Sequence, residues 1–135
     1  MIDEAVQYID IAMFYMTLLE GDPAGQAVFT SLQRAAQRGV SIRIVQNQPS
    51  PSMPDDDVQL LAIYPNVRVR SLDLTKLIGA GILHTKLIIA DAMSVYVGSA
   101  NMDWRSLAQV SSYNQIVELD IVYNHDILGR LKNWD

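Results

Sequence analysis

The 135-residue chain contains no cysteine, so neither a disulfide staple nor a thiolate metal site is available to it, while its redox compartment stays open. Histidine is almost as scarce. His84 and His125 stand far apart, and no carboxylate cluster accompanies the first, so the sequence offers no metal-ligating set. No N-x-[ST] acceptor for glycosylation occurs. Long hydrophobic runs are missing too. The longest, Ile9 to Leu19 interrupted by Asp10 and Thr17, is too short to cross a bilayer and lacks a basic flank, so it reads as neither anchor nor signal peptide. Positive charge is in deficit. Ten Lys and Arg against fifteen Asp and Glu give a net charge of −5, which disfavours broad attraction to duplex nucleic acid. Internal repeats and low-complexity segments are absent. What remains is a chain half of whose residues are hydrophobic, long enough to bury the core of one domain.

The order of elements points to an α/β fold with a mixed, mainly parallel sheet and helices on both faces. Met1–Gln7 is expected to hold the last turns of a helix, and Tyr8–Met16 a near-continuously apolar strand covered on both faces. Asp22-Pro23 starts a helix, with Asp as cap and Pro at its first position, and Ala27, Val28, Leu32, Ala35 and Ala36 recur at helical spacing until Gly39 ends it. Val40–Gln46 alternates as a strand. The three prolines that follow mark a surface loop. Asp55–Tyr64 reads as a second helix, its acidic triplet a solvated start at the positive end of the dipole, and Val67–Leu72 as a third strand. Thr75–Gly81 is expected as a loop that leads into a strand at Leu83–Ala90. A tight turn at Asp91-Ala92 then gives an antiparallel strand, Ser94–Val97. A short helix at Asp103–Val110, capped by Asn101 or Asp103, a strand at Gln115–Tyr123 and a helix at Asp126–Trp134 complete the chain.

Chemistry concentrates in Leu83–Ser106, LHTKLIIADAMSVYVGSANMDWRS, with the pattern H-x-K-x4-D-x6-G-S-x-N. On a strand, His84 and Lys86 project to one side, because side chains alternate with period two. An imidazole near neutral pH is a nucleophile or proton carrier, an ammonium a positive charge, and a hydroxyl and a carboxamide hydrogen-bond oxyanions. Together they suit attack on a phosphodiester. A lone histidine on a buried strand is more often a core residue, and Leu87–Ala90 needs no role beyond filling a sheet. Six specified positions within eighteen residues are more than a core strand and a turn require. Asp91 lies on the opposite parity to His84 and Lys86, which suits it to holding the turn.

The pattern resembles the HKD motif of the phospholipase D superfamily. Its continuation GSANMDWRSL is similar to the first motif of the animal branch that contains lysosomal 5′ single-strand exonucleases, with weaker similarity along most of the chain. The resemblance implies a phospholipase D-like half-domain in which His84 attacks phosphorus to form a phosphohistidine or protonates the leaving oxygen. A second motif histidine would take the other part. Lys86, Ser99 and Asn101 would bind the non-bridging oxygens, with Gly98 and Asp91 as structural support. In the family an acidic residue on the following strand orients the histidine. Glu118 is the cleanest match, although ungapped spacing would fall on Ser112, and Asp120 stands where a small residue is usual. His125, beside a helix start, reads as a surface cap. The family chemistry needs no cofactor and no obligatory metal. The branch suggests an endolysosomal lumen, which the missing glycosylation acceptor does not support.

The chemistry needs two motifs and this chain carries one. Either an isologous homodimer brings His84 and its symmetry mate together, or a second half of a two-motif enzyme supplies the other. Similarity to the first half of the two-motif type leads to the expectation of a single domain, residues 1–135, truncated at both ends. Three functions follow. The first is a phosphodiesterase on single-stranded nucleic acid ends, the second a phospholipase or phosphatidyl transferase whose entrance Leu77, Ile78 and Ile82 would line, and the third a silent half-domain acting as an interaction module.

Overall fold

The computed structural model describes residues 1–109. A five-stranded sheet has the spatial order β4-β3-β1-β5-β6, built from β1 (Tyr8–Met13), β3 (Ser41–Asn47), β4 (Val67–Leu72), β5 (Lys86–Ala90) and β6 (Ser94–Val97). β1, β3 and β4 are parallel, whereas β5 is antiparallel to both β1 and β6. A second, two-stranded sheet joins β2 (Met16–Thr17) in parallel to β7 (Met102–Asp103). The mixed α/β architecture is the one the sequence predicts.

Alternation explains the core. Ile9, Ile11 and Met13 of β1 and Ile42, Ile44 and Gln46 of β3 point to one side and are buried. There they meet Phe29, Leu32, Ala35 and Ala36 of α1 (Pro23–Gln37), and Val58 and Leu61 of α2 (Asp56–Ala62), in one cluster. Both crossovers step in the same direction across the sheet, which puts α1 and α2 on the same face. α4 (Trp104–Gln109) packs on α1. Closing that contact needs glycine: a Cβ on Gly25 would overlap the Leu18 carbonyl, and Gly21, at φ 72°, lies beneath the Trp104 ring. The helix expected at Asp126–Trp134 and the strand expected at Gln115–Tyr123 lie outside the described residues.

Several local expectations are corrected. Met1–Gln7 forms turns and not a helix, because the Val6, Gln7 and Tyr8 N–H groups are taken by the Asp91 carboxylate at 2.8–2.9 Å. The strand from Tyr8 stops at Met13, and Phe14 and Tyr15 interrupt it before β2. Thr75–Gly81 is not a plain loop. Leu74–Ile78 is a short helix, α3, whose Asp73 cap accepts from the Lys76 N–H at 3.1 Å and whose exit is Gly79 in the left-handed region. The acidic triplet is not wholly solvated either. Asp57 is 9% exposed and accepts from the Leu18 and Leu19 N–H groups at 2.5 and 3.0 Å, tying α2 to the segment after β2. The Asp22 cap, the Gly39 exit and the whole of β4 stand where the sequence puts them. Asp91 and Ala92 both take φ 55° as the central residues of the turn that the Met93 N–H closes on the Ala90 carbonyl at 3.0 Å.

Candidate active site

Five strand termini share one edge of the main sheet. Met13 ends β1 beside Gln46 of β3 and Lys86 of β5; Asn47 ends β3 beside Leu72 of β4; Val97 ends β6 beside Leu87. The chain leaves β1 on one side for β3 and β4, then returns to its other side as β5. In open α/β sheets the crevice outside the carboxyl ends of strands at such a reversal is where ligands bind.

His84 and Lys86 arrive at this edge, although not on one strand. β5 begins only at Lys86, opposite the last residue of β1, so Leu83–Thr85 run beyond the ladder. The expected strand start at Leu83 is thereby corrected: the Leu83 N–H donates to the Asn47 side-chain oxygen at 2.9 Å in place of a ladder partner. The two side chains still share a side, because both gather round Phe14. The His84 ring meets the Phe14 ring edge-to-face, with centroids 4.6 Å apart and planes at 75°, and Lys86 Nζ lies 6.0 Å from the Phe14 centroid. Lys86 Nζ also donates to the His84 carbonyl at 3.2 Å. His84 is exposed and Lys86 half-buried. Burial holds the Lys86 ammonium below the usual lysine range.

The second half of the motif comes over the same edge. The Gly98 N–H donates to the Lys86 carbonyl at 3.2 Å, and a Cβ at Gly98 would meet the Tyr96 hydroxyl and require that side chain to move. Ser99 follows, exposed. Asn101 precedes β7, whose pairing Met16↔Met102 and Thr17↔Asp103 draws it onto the continuation of β1. Its Nδ2 lies 3.5 Å from the Tyr15 hydroxyl, and its Oδ1 is buried with no hydrogen-bond partner. Asp91, at the opposite end of β5, is held away from this edge. Burial would raise its carboxyl, but the Val6, Tyr8 and Gln7 N–H groups outweigh that and hold it below the usual carboxylate range.

Under this arrangement lies a carboxylate that sequence reasoning treats only as a helix cap. Asp103, 1% exposed, accepts from the Tyr15 hydroxyl at 3.1 Å, the Thr17 hydroxyl at 2.9 Å, the Arg105 N–H at 2.7 Å and the Arg105 guanidinium. Burial opposes its ionisation, yet the Arg105 and Thr17 donors overcome this and hold it far below the usual carboxylate range. Phe14, Tyr15, Asn47 and Asp103 are the residues that motif reading misses. Phe14 and Tyr15 carry no signal in an apolar run. Asp103, two places beyond the last specified motif position, offered its polarity. Glu118, Ser112 and His125 lie outside the described residues. Among the described residues no group of three or more His, Asp or Glu could hold a metal, and no helix is long and apolar enough to cross a membrane.

Comparison with known proteins gives the chain its family and matches its fold. Residues 1–133 match the family described as cardiolipin synthase, PLD-like domain. The chain belongs to the phospholipase D-like family. Phospholipase D Z of Dictyostelium discoideum is 55% identical over 118 residues, covering 82% of this chain and 28% of that protein. The human 5'-3' exonuclease PLD3 is 41% identical over 131 residues, covering 90% of this chain and 25% of that protein. The phospholipase D-like chain thus spans about a quarter of the length of these relatives. The crystal structure of Nuc from Salmonella typhimurium, a phospholipase D family member, shares the fold, with a TM-score of 0.60 and 22% identity over 78% of this chain and 62% of Nuc.

Proposed function

We propose that this chain supplies one half of a phosphodiesterase active site at the sheet edge where β1 ends and β5 begins. The gathering of His84 and Lys86 around Phe14, with Asn101 drawn onto the adjoining Tyr15, is the observation that carries this reading. His84 forms a bond to phosphorus while the ester P–O bond breaks, and a second motif histidine gives the leaving oxygen its proton. Water then cleaves the phosphohistidine, so that two easier steps replace one hard displacement. By symmetry His84 can equally take the acid's part. Lys86, Ser99 and Asn101 bind the non-bridging oxygens, and one such preorganised donor is worth roughly 3 kcal/mol in other enzymes. A partly desolvated Lys86 attracts an anion more strongly than a fully hydrated ammonium does. Gly98 and Asp91 support the turn and strand that present these groups. Glu118 orients the His84 imidazole.

The second motif comes from a second copy in a homodimer or from another half of a longer enzyme. The substrate favoured is a single-stranded nucleic acid end, in keeping with the name of the human relative and with a net charge of −5, which suits a short contact better than a duplex track. A phosphatidyl lipid is the second reading. Leu77, Ile78 and Ile82, at 63%, 75% and 55% exposure, form an apolar rim just before His84 in sequence.

Side-by-side turnover of a single-stranded oligonucleotide and of a phosphatidyl lipid in mixed micelles separates the two. Faster oligonucleotide cleavage is expected, and cleavage of the lipid alone would reverse the assignment. Turnover of neither by protein of dimeric solution mass would leave the chain a silent interaction module.

A further inference from the structure

We infer that Phe14 and Tyr15 are positioning residues of this site, Phe14 for the His84 imidazole and Lys86 ammonium, and Tyr15 for the Asn101 carboxamide. The inference rests on the phosphodiesterase reading for its catalytic consequence, though not for its geometry. The two residues form the break between β1 and β2. The Phe14 carbonyl accepts from the Asn47 N–H at 3.2 Å, which seats the break on the end of β3, and the same Asn47 holds the Leu83 N–H through its side chain. The backbone just before His84 and the ring against it are therefore referred to one point. Phe14 lies against the His84 ring and within 6.0 Å of the Lys86 ammonium, and its ring meets that of Tyr15 at 5.1 Å and 64°.

Tyr15 acts by the direction of its hydroxyl proton. Asp103 is ionised and can only accept, so the Tyr15 O–H donates to it. Burial, and then the Asp103 charge, push the Tyr15 hydroxyl above the ordinary phenol range and keep that proton in place. The phenol oxygen is thereby left as an acceptor. Whatever faces it must be a donor, which fixes the Asn101 amide with Nδ2 toward Tyr15 and Oδ1 turned away. Among the described residues, Oδ1 is the one buried side-chain polar atom without a hydrogen-bond partner. An amide free to rotate would not leave an acceptor stranded in this way. With one Nδ2 hydrogen directed at Tyr15, the other remains for a substrate oxygen.

The test uses the full 135-residue chain and two readouts, one of which needs no turnover. In NMR spectra, Phe14→Leu is expected to move the His84 ring protons toward their unstacked shifts, and Phe14→Tyr to keep them. Tyr15→Phe, smaller by one oxygen, is expected to move the Asn101 side-chain amide signals and leave the His84 ring protons in place. On a simple phosphodiester, Phe14→Leu and Tyr15→Phe should each lower kcat about ten-fold or more with KM changed far less, as displaced catalytic groups do, and Phe14→Tyr should restore kcat. Unchanged His84 and Asn101 resonances in the folded variants would overturn the inference, as would shifted resonances with kcat intact. If the unmodified chain turns over no phosphodiester even at a dimeric solution mass, the functional reading fails while the spectra still decide the positioning. If Phe14→Leu does not fold, Phe14→Tyr and Tyr15→Phe carry the decision.

Discussion

Asp103 shows how one side chain couples stability to the site. Its folded-state pKa lies below its unfolded value near 4, so the ionised carboxylate stabilises the fold at every pH above about 4. That contribution drains away as pH falls below 4 toward the folded-state value. Asp103→Asn should therefore cost about 2 kcal/mol at pH 7, as expected for lost hydrogen bonds to a buried charge, and the gap from the parent protein should narrow on acidification. Urea unfolding at pH 7 and pH 3 measures this, and an equal deficit at both would refute it. Asp91 works by the same sign. Three backbone N–H donors hold it ionised, and Asp91→Ala, which strands them, should lower stability by about 2 kcal/mol at neutral pH. The His84 and Lys86 environment should be untouched by Asp91→Ala, since Asp91 sits beyond the far end of β5. A large loss of activity in a folded Asp91→Ala protein would mean that its role is more than structural.

At the scale of elements, the parallel βαβ units were readable because their signals are local and redundant. Asp22-Pro23 and Gly39 bracket α1, and the alternation in Ser41–Asn47 and Val67–Leu72 stands out from its surroundings. What the sequence concealed depended on tertiary partners. Nothing local distinguishes Phe14 and Tyr15 from the apolar strand before them; the break exists because β2 leaves the main sheet to pair with β7. Met1–Gln7 has the composition of a helix, but its N–H groups find a carboxylate more than eighty residues away. Asp57 reads as a solvated helix start until the Leu18 and Leu19 amides are seen to need it. The motif itself named His84, Lys86, Ser99 and Asn101, whereas the residues that hold them, Asn47, Phe14 and Tyr15, come from distant segments. The α1–α4 contact yields its own prediction. Gly25→Ala would drive a methyl into the Leu18 carbonyl, and overpacking of this kind costs about 2 kcal/mol. Thermal unfolding should show Gly25→Ala well below the parent and Gly39→Asn, at a left-handed exit (φ 89°) with open space around it that asparagine tolerates better than other side chains, lowered less. Equal melting temperatures for Gly25→Ala and the parent would mean that the two helices can part without cost.

For the whole molecule the decisive feature is that one motif, with an exposed histidine, sits at one sheet edge, while the chemistry we propose calls for a second histidine from elsewhere. If two copies meet there, activity must follow association and not protein concentration alone. Hydrolysis of bis(4-nitrophenyl) phosphate, measured across the concentration range of dimer formation with the solution mass determined in parallel, tests this directly. The phosphodiesterase account predicts specific activity that rises with the dimer fraction and disappears in His84→Asn. Undiminished turnover by His84→Asn, or no turnover by protein whose mass shows it to be dimeric, would contradict it.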